Sequence, residues 1–132
     1  MTQRERQWQP VRLGGDVPAP VGAYSPAVKA GGFVFVSGQV PRDFVTGKLI
    51  GDDVESQTRQ VIANVQRVLE TAGASLTDVV STIVYLADIG DWDRFNNVYK
   101  ELMQPPYPTR TALGAHLHGF LVEISAVAYI GS

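Results

Sequence analysis

Two short runs of this chain, Phe33-Val34-Phe35-Val36 and Ile83-Val84-Tyr85-Leu86, are apolar on both parities. Successive side chains of a β-strand point to opposite faces, so a strand made from either run must bury both of them. The remaining sequence offers little cover. Two segments have helical periodicity, and two helices of that length shield one face of a sheet of about six strands. The other face requires a second copy of the chain, which places clefts, and hence any site, between subunits.

The elements follow from local signals. Ala27-Val28-Lys29-Ala30, then Gly31-Gly32, then Phe33-Val34-Phe35-Val36-Ser37-Gly38 read as a hairpin with a two-glycine turn. Residues 11–13 read as a short edge strand, and residues 41–52, with Pro41, Gly47 and Gly51 among charges, as a loop. Asp52 or Asp53 can cap a first helix whose apolar face runs Val54, Thr58, Val61, Ile62, Val65, Val68, Leu69 and Ala72, with Gly73 at its end. Residues 79–86 are β-branched and read as a strand. Asp91 is expected to cap a second helix with the stripe Trp92, Phe95, Val98, Tyr99, Leu102 and Met103, and Pro105-Pro106 forbids its continuation. Strands near 110–115 and 121–129 complete the order ββαβαββ, with a further strand at the start. This is an α+β chain, read as a single domain over residues 1–132 in which residues 1–9 form a loose or strand-leading arm.

Composition removes several function classes. A chain of 132 residues with 45% hydrophobic and 18% charged content suits one self-sufficient globular unit. Its 11 Lys and Arg are scattered among 13 acids for a net charge of -2, which argues against a phosphate-backbone partner. Cysteine is absent, so there is no disulfide, thiolate metal site or Cys nucleophile. No apolar run has the length of a signal peptide or approaches about 18 residues, which suggests a soluble, cytoplasmic protein without a membrane partner. No GxxxxGK, GxGxxG, HExxH or GxSxG motif is present.

Arg110 and Glu123 suggest a small-anion site. A guanidinium offers a rigid fork of donors that matches a carboxylate, and in apolar surroundings it needs an acidic partner or ligand. A strand arginine can equally be a solvated or ion-paired surface residue. Glu123 shares its parity with Ser125, Val127 and Tyr129, so it is either a wet strand residue or a base or water-orienting group in a cleft. Tyr24 can wall a pocket or pack in the core. Asn96, on the flank of the second helix's stripe, can bond backbone or reach across an interface. His116 and His118 share a face of any strand they lie on, but no third ligand lies near in sequence, so no metal site is expected.

Five ordered segments together resemble the Rid family, also called YjgF or RidA-like, and within it the RidA branch. They are Gly22-Ala23-Tyr24-Ser25-Pro26-Ala27-Val28, Val36-Ser37-Gly38-Gln39, Phe95-Asn96-Asn97-Val98-Tyr99, Pro108-Thr109-Arg110-Thr111 and Val122-Glu123-Ile124. The resemblance spans about residues 17–130. It implies a chorismate-mutase-like subunit with a mostly antiparallel sheet and two helices on one face, trimerising through the other face with active sites between subunits. It implies hydrolytic deamination of reactive 2-imino and 2-enamino acids, such as 2-aminoacrylate and 2-iminobutanoate, to 2-oxo acids and ammonia, without a cofactor. On that resemblance Arg110 binds the substrate carboxylate and Glu123 positions water, while Tyr24, Ser37, Gly38, Asn96, Thr111 and Ala112 contribute to the substrate cleft. The chain departs from the family at Leu117-His118, where Leu-Pro is common, and at Ser125, where a second acid often follows. The alternatives are a non-catalytic trimer that binds small 2-oxo acids and a deaminase of the 2-aminomuconate type.

Overall fold

The computed structural model describes residues 4–131. Six strands form one sheet: β1 (Trp8–Val11), β2 (Ala27–Ala30), β3 (Phe33–Gln39), β4 (Val79–Leu86), β5 (Thr109–Gly114) and β6 (Val122–Tyr129). Their order across the sheet is β1-β2-β3-β6-β4-β5. All neighbours are antiparallel except β4 and β5, which the second helix joins in parallel. Helices α1 (Val54–Thr71) and α2 (Trp92–Met103) lie together on one face. This is the α+β arrangement expected from the sequence, including the extra strand at the start.

That first strand begins earlier than the sequence suggests. It takes Trp8 and Gln9 out of the expected arm and ends at Val11, whereas residues 11–13 were the expected strand. Pairing decides this, because Trp8 to Val11 lie against Ala30 to Ala27 in register, while Arg12 and Leu13 have no strand beside them. Residues 1–3 of the expected arm lie outside the described residues.

Helix α1 starts where its cap dictates. The Asp53 carboxylate accepts from the Ser56 N–H at 2.8 Å, and the Ser56 hydroxyl faces the Asp53 N–H in return, a reciprocal capping box. At α2 the expected cap does not form. A turn of 3-10 helix, Ile89–Asp91, precedes it and holds Asp91 at φ -81°, ψ 6°, outside the extended backbone that aims a cap side chain at the first turn. Asp88 instead accepts from the Gly90 N–H at 2.8 Å, and Asp91 approaches Arg94.

The core fills the space between helices and sheet. Val34, Val36, Val65, Val68, Leu69, Ala126 and Ala128 pack at one end. Val61, Ile62, Val84, Leu86, Phe95, Tyr99, Val122 and Ile124 pack at the other. The opposite face of the sheet has no covering element among the described residues. It carries Phe35 at 47% exposure, Ile83 at 39% and Tyr129 at 48%, with the Phe33 ring 5.0 Å from that of Tyr129. Both apolar strand runs therefore divide as the alternation requires, one parity into the core and one onto a bare face.

Phe95, fully buried between α1 and the sheet, should be the costliest single truncation. Phe95→Ala is expected to lower unfolding stability by about 3–5 kcal/mol, read from urea denaturation.

Candidate functional site

Thr82 on β4 lies beside Arg110 on β5, and both point to the helix face. The Thr82 hydroxyl is buried and shares a 2.8 Å hydrogen bond with the Tyr99 phenol of α2. Burial pushes the Tyr99 pKa up, opposed by that hydrogen bond and by the neighbouring Arg110 charge, so Tyr99 stays a neutral phenol. The Arg110 guanidinium sits 4.8 Å from the Tyr99 ring centre, 5.2 Å from that of Trp92 and 6.0 Å from that of Phe95. Aromatic faces attract a cation at these distances, each worth about 0.5–2 kcal/mol according to its exposure. Arg110 Nη1 donates to the Asn96 side-chain carbonyl at 2.7 Å.

The ion pairs among the described residues, Arg59 with Glu101 and Arg94 with Glu55 and Asp91, lie on the helices and leave Arg110 without an acid. Rings and one amide fix the guanidinium but do not neutralise it. Its remaining donors line a pocket of about 370 Å³ with Asn96, Tyr99, Lys100, Tyr107 and Pro108. A half-buried, unneutralised guanidinium of this kind is suited to bind a carboxylate.

Glu123 is on the other side of the sheet. Its neighbours Val122 and Ile124 are in the core, so alternation turns Glu123 to the bare face beside Tyr85. The carboxylate lies over the backbone of Gly38, so closely that a β-carbon at residue 38 would overlap it. Gly38 sits in the irregularity between β3 and β6 that separates Val36 from Gln39. Burial pushes the Glu123 pKa above the ordinary glutamate range, with no cation or donor among the described residues opposing it.

Ser37 ties this side to the loop that bears Tyr24. Its hydroxyl donates to the Ser25 carbonyl at 2.6 Å and its N–H to that of Pro26 at 3.0 Å, while Tyr24 itself is 59% exposed. The start of β6 is held by Gln57, a buried polar residue within the α1 stripe. Its side chain accepts from the Leu121 N–H at 2.8 Å and donates to the Gly51 carbonyl at 3.0 Å.

The expected site residues therefore form two groups within one chain. Arg110, Asn96 and Ala112 belong to the helix face, whereas Glu123, Gly38 and Thr111 belong to the bare face, with Ser37 and Tyr24 at its rim. Arg110 and Glu123 are two strands and three residues apart along the sheet, roughly 14 Å at ordinary strand spacings, and point in opposite directions. No single copy of the chain can bring them onto one small molecule.

The aromatic support of Arg110 was not read from the sequence, although a signal existed. Trp92, Asn96 and Tyr99 stand four and three residues apart and so share one side of α2. His116 and His118 lie in the exposed loop after β5, with rings 5.7 Å apart, and no cluster of three metal-ligating side chains occurs among the described residues. No helix among them is long and apolar enough to cross a membrane.

Comparison with known proteins adds independent information. A family model described as Endoribonuclease L-PSP matches residues 14–130. A RutC family protein of Pyrococcus horikoshii is 43% identical over 116 residues, covering 86% of this chain and 92% of that protein. A 2-iminobutanoate/2-iminopropanoate deaminase of Bos taurus is 38% identical over 116 residues, covering 86% of this chain and 85% of that enzyme. The crystal structure of RidA from an Antarctic Psychrobacter superposes with a TM-score of 0.83 at 38% identity, covering 92% of this chain and 99% of that one.

The pKa shift of Glu123 gives a pH-dependent prediction. Its folded pKa lies above its unfolded one, so its contribution to stability is fully present below the unfolded pKa and is lost as pH rises through the folded pKa. Glu123→Gln should therefore be more stable than the parent in urea at about pH 8, with the difference closing at about pH 4.

Proposed function

This chain belongs to the L-PSP endoribonuclease family, also called Rid, and on that premise we propose that it hydrolyses short-lived 2-imino acids. The products are the 2-oxo acid and ammonia. The observation that carries the reading is the Arg110 guanidinium, held by three aromatic rings and Asn96 with no acid among the described residues to neutralise it. The relative named as a 2-iminobutanoate/2-iminopropanoate deaminase supports the choice of substrate.

The chemistry asks little of the protein. A protonated imine carbon is already electrophilic, so orientation, one water and a proton acceptor suffice. Arg110 seats the substrate carboxylate with two parallel hydrogen bonds, fixing the imine carbon within a few ångströms. Glu123 accepts a proton from the attacking water as the C–O bond forms and returns it to the carbinolamine nitrogen; the C–N bond then breaks as the hydroxyl proton passes back to the carboxylate, releasing ammonia, which carries that proton away as ammonium. A glutamate whose pKa is raised by burial is a stronger base than an exposed one. Tyr24 and Ser37 border the cleft, and Gly38 leaves room for the Glu123 carboxylate.

Because Arg110 and Glu123 point to opposite faces, the reading requires two copies of the chain at each site. A homotrimer closed through the bare apolar face would bury Phe35, Ile83 and Tyr129 and bring β5 of one copy toward Glu123 of the next.

Generating the imine with a threonine dehydratase and following its decay tests the activity; no acceleration over buffer overturns it. Arg110→Ala should lower kcat/KM by roughly 30-fold or more, about 2–5 kcal/mol, because a sheltered carboxylate loses its partner. Light scattering should report three times the 14.3 kDa chain for both proteins. The acid limb of the pH–rate profile should fall above the pH at which an exposed glutamate protonates, and Glu123→Gln should remove it.

A further inference from the structure

The pocket that presents Arg110 contains a second cation. Lys100 follows Asn96 by four residues on α2, so it projects from the same side of the helix one turn on. Arg110, Lys100, Asn96, Tyr99, Tyr107 and Pro108 line the pocket, and none of them is acidic. The acids near Lys100 on the helix do not neutralise it: Glu101 pairs with Arg59 at 2.7 Å, and Asp93 is two turns away. The Lys100 carbonyl accepts a long 3.4 Å hydrogen bond from the Tyr107 phenol, which brings the far wall of the pocket against this turn of the helix. Within one copy of the chain, two cations and no acid line a volume of about 370 Å³, which offers one cation to each of two carboxylates on a single small molecule.

We propose that the preferred substrate is a dianion: a 2-imino acid whose 1-carboxylate rests on Arg110 and whose side chain ends in a second carboxylate that meets Lys100. The inference rests on the deaminase reading for its reaction and on the pocket alone for its charge preference. Arg110, clamped by rings and Asn96, sets the position of the reacting carbon. Lys100, an exposed and flexible point charge in the pocket lining, selects among side chains without touching the reacting atoms. Its contribution is to binding and is screened by salt.

The test compares imines released by amino-acid oxidases from aspartate and glutamate with 2-iminobutanoate. The ratio of dicarboxylate to monocarboxylate kcat/KM should exceed about tenfold at low salt, carried mainly by KM, and shrink at high salt. Lys100→Met should lower that ratio about tenfold, and Lys100→Arg should restore it. Equal kcat/KM for the two classes in the parent protein, or a ratio unmoved by Lys100→Met, overturns the proposal while leaving the deaminase reading in place. Binding decides the charge preference separately from turnover. The chain has two tryptophans, so in a Trp8→Phe background Trp92 reports on Arg110 by fluorescence. 2-Oxoglutarate should bind about tenfold more tightly than 2-oxobutanoate, and Lys100→Met should erase the difference; equal affinities refute the dianion site. If neither imine is accelerated, the deaminase reading falls and these two affinities alone decide the proposal.

Discussion

Strands β4, β5 and β6 send alternate residues to opposite sides of one sheet, and the placement of every candidate site residue depends on that two-residue period. Register carries Thr82 and Arg110 toward α2 and carries Tyr85 and Glu123 away from it. A slip of one residue in β5 would take Arg110 off its aromatic bed and turn Thr111 inward. Ala112, the β5 residue packed against the core, opposes such a slip, and Val122 and Ile124 oppose the equivalent slip in β6, because each would have to leave the interior. Hydrophobic packing thus fixes the direction of the two charged groups, although neither belongs to the core.

The two charges are held in contrasting ways. Arg110 is surrounded by the faces of Trp92, Phe95 and Tyr99 and bonded to one neutral amide, so its position is determined while its charge remains available. Glu123 has no donor among the described residues and lies over the backbone of Gly38, where loss of water raises its affinity for a proton. An anion binder and a proton acceptor are the roles these environments favour. Their separation across the sheet gives the bare apolar face a second meaning, since the surface left uncovered among the described residues also carries Glu123.

Much of this was legible in the sequence, and the exceptions have physical causes. The eight-residue stripe of α1, the Gly31-Gly32 hairpin and the β-branched run of β4 are strong local signals, and all three elements formed. The first strand began at Trp8 because pairing with β2, not residue type, sets a strand's ends. Asp91 failed as a cap because the preceding 3-10 turn gave it the wrong backbone angles. Trp92 and Tyr99 were legible as apolar stripe residues. Their second role became visible only once β5 was seen to lie beneath them.

What the sequence determined by itself was the element order, the core-facing residues and the apolar character of a second sheet face, because periodicity and apolar parity are local properties of the chain. It also named Arg110 and Glu123. The tertiary structure decided that these two residues face opposite ways, that Asn96 and three rings hold the arginine, and that Lys100 shares its pocket. Such relations depend on which strand neighbours which and in what register, and residues fourteen to sixty-four positions apart acquire them only when the sheet closes over its helices.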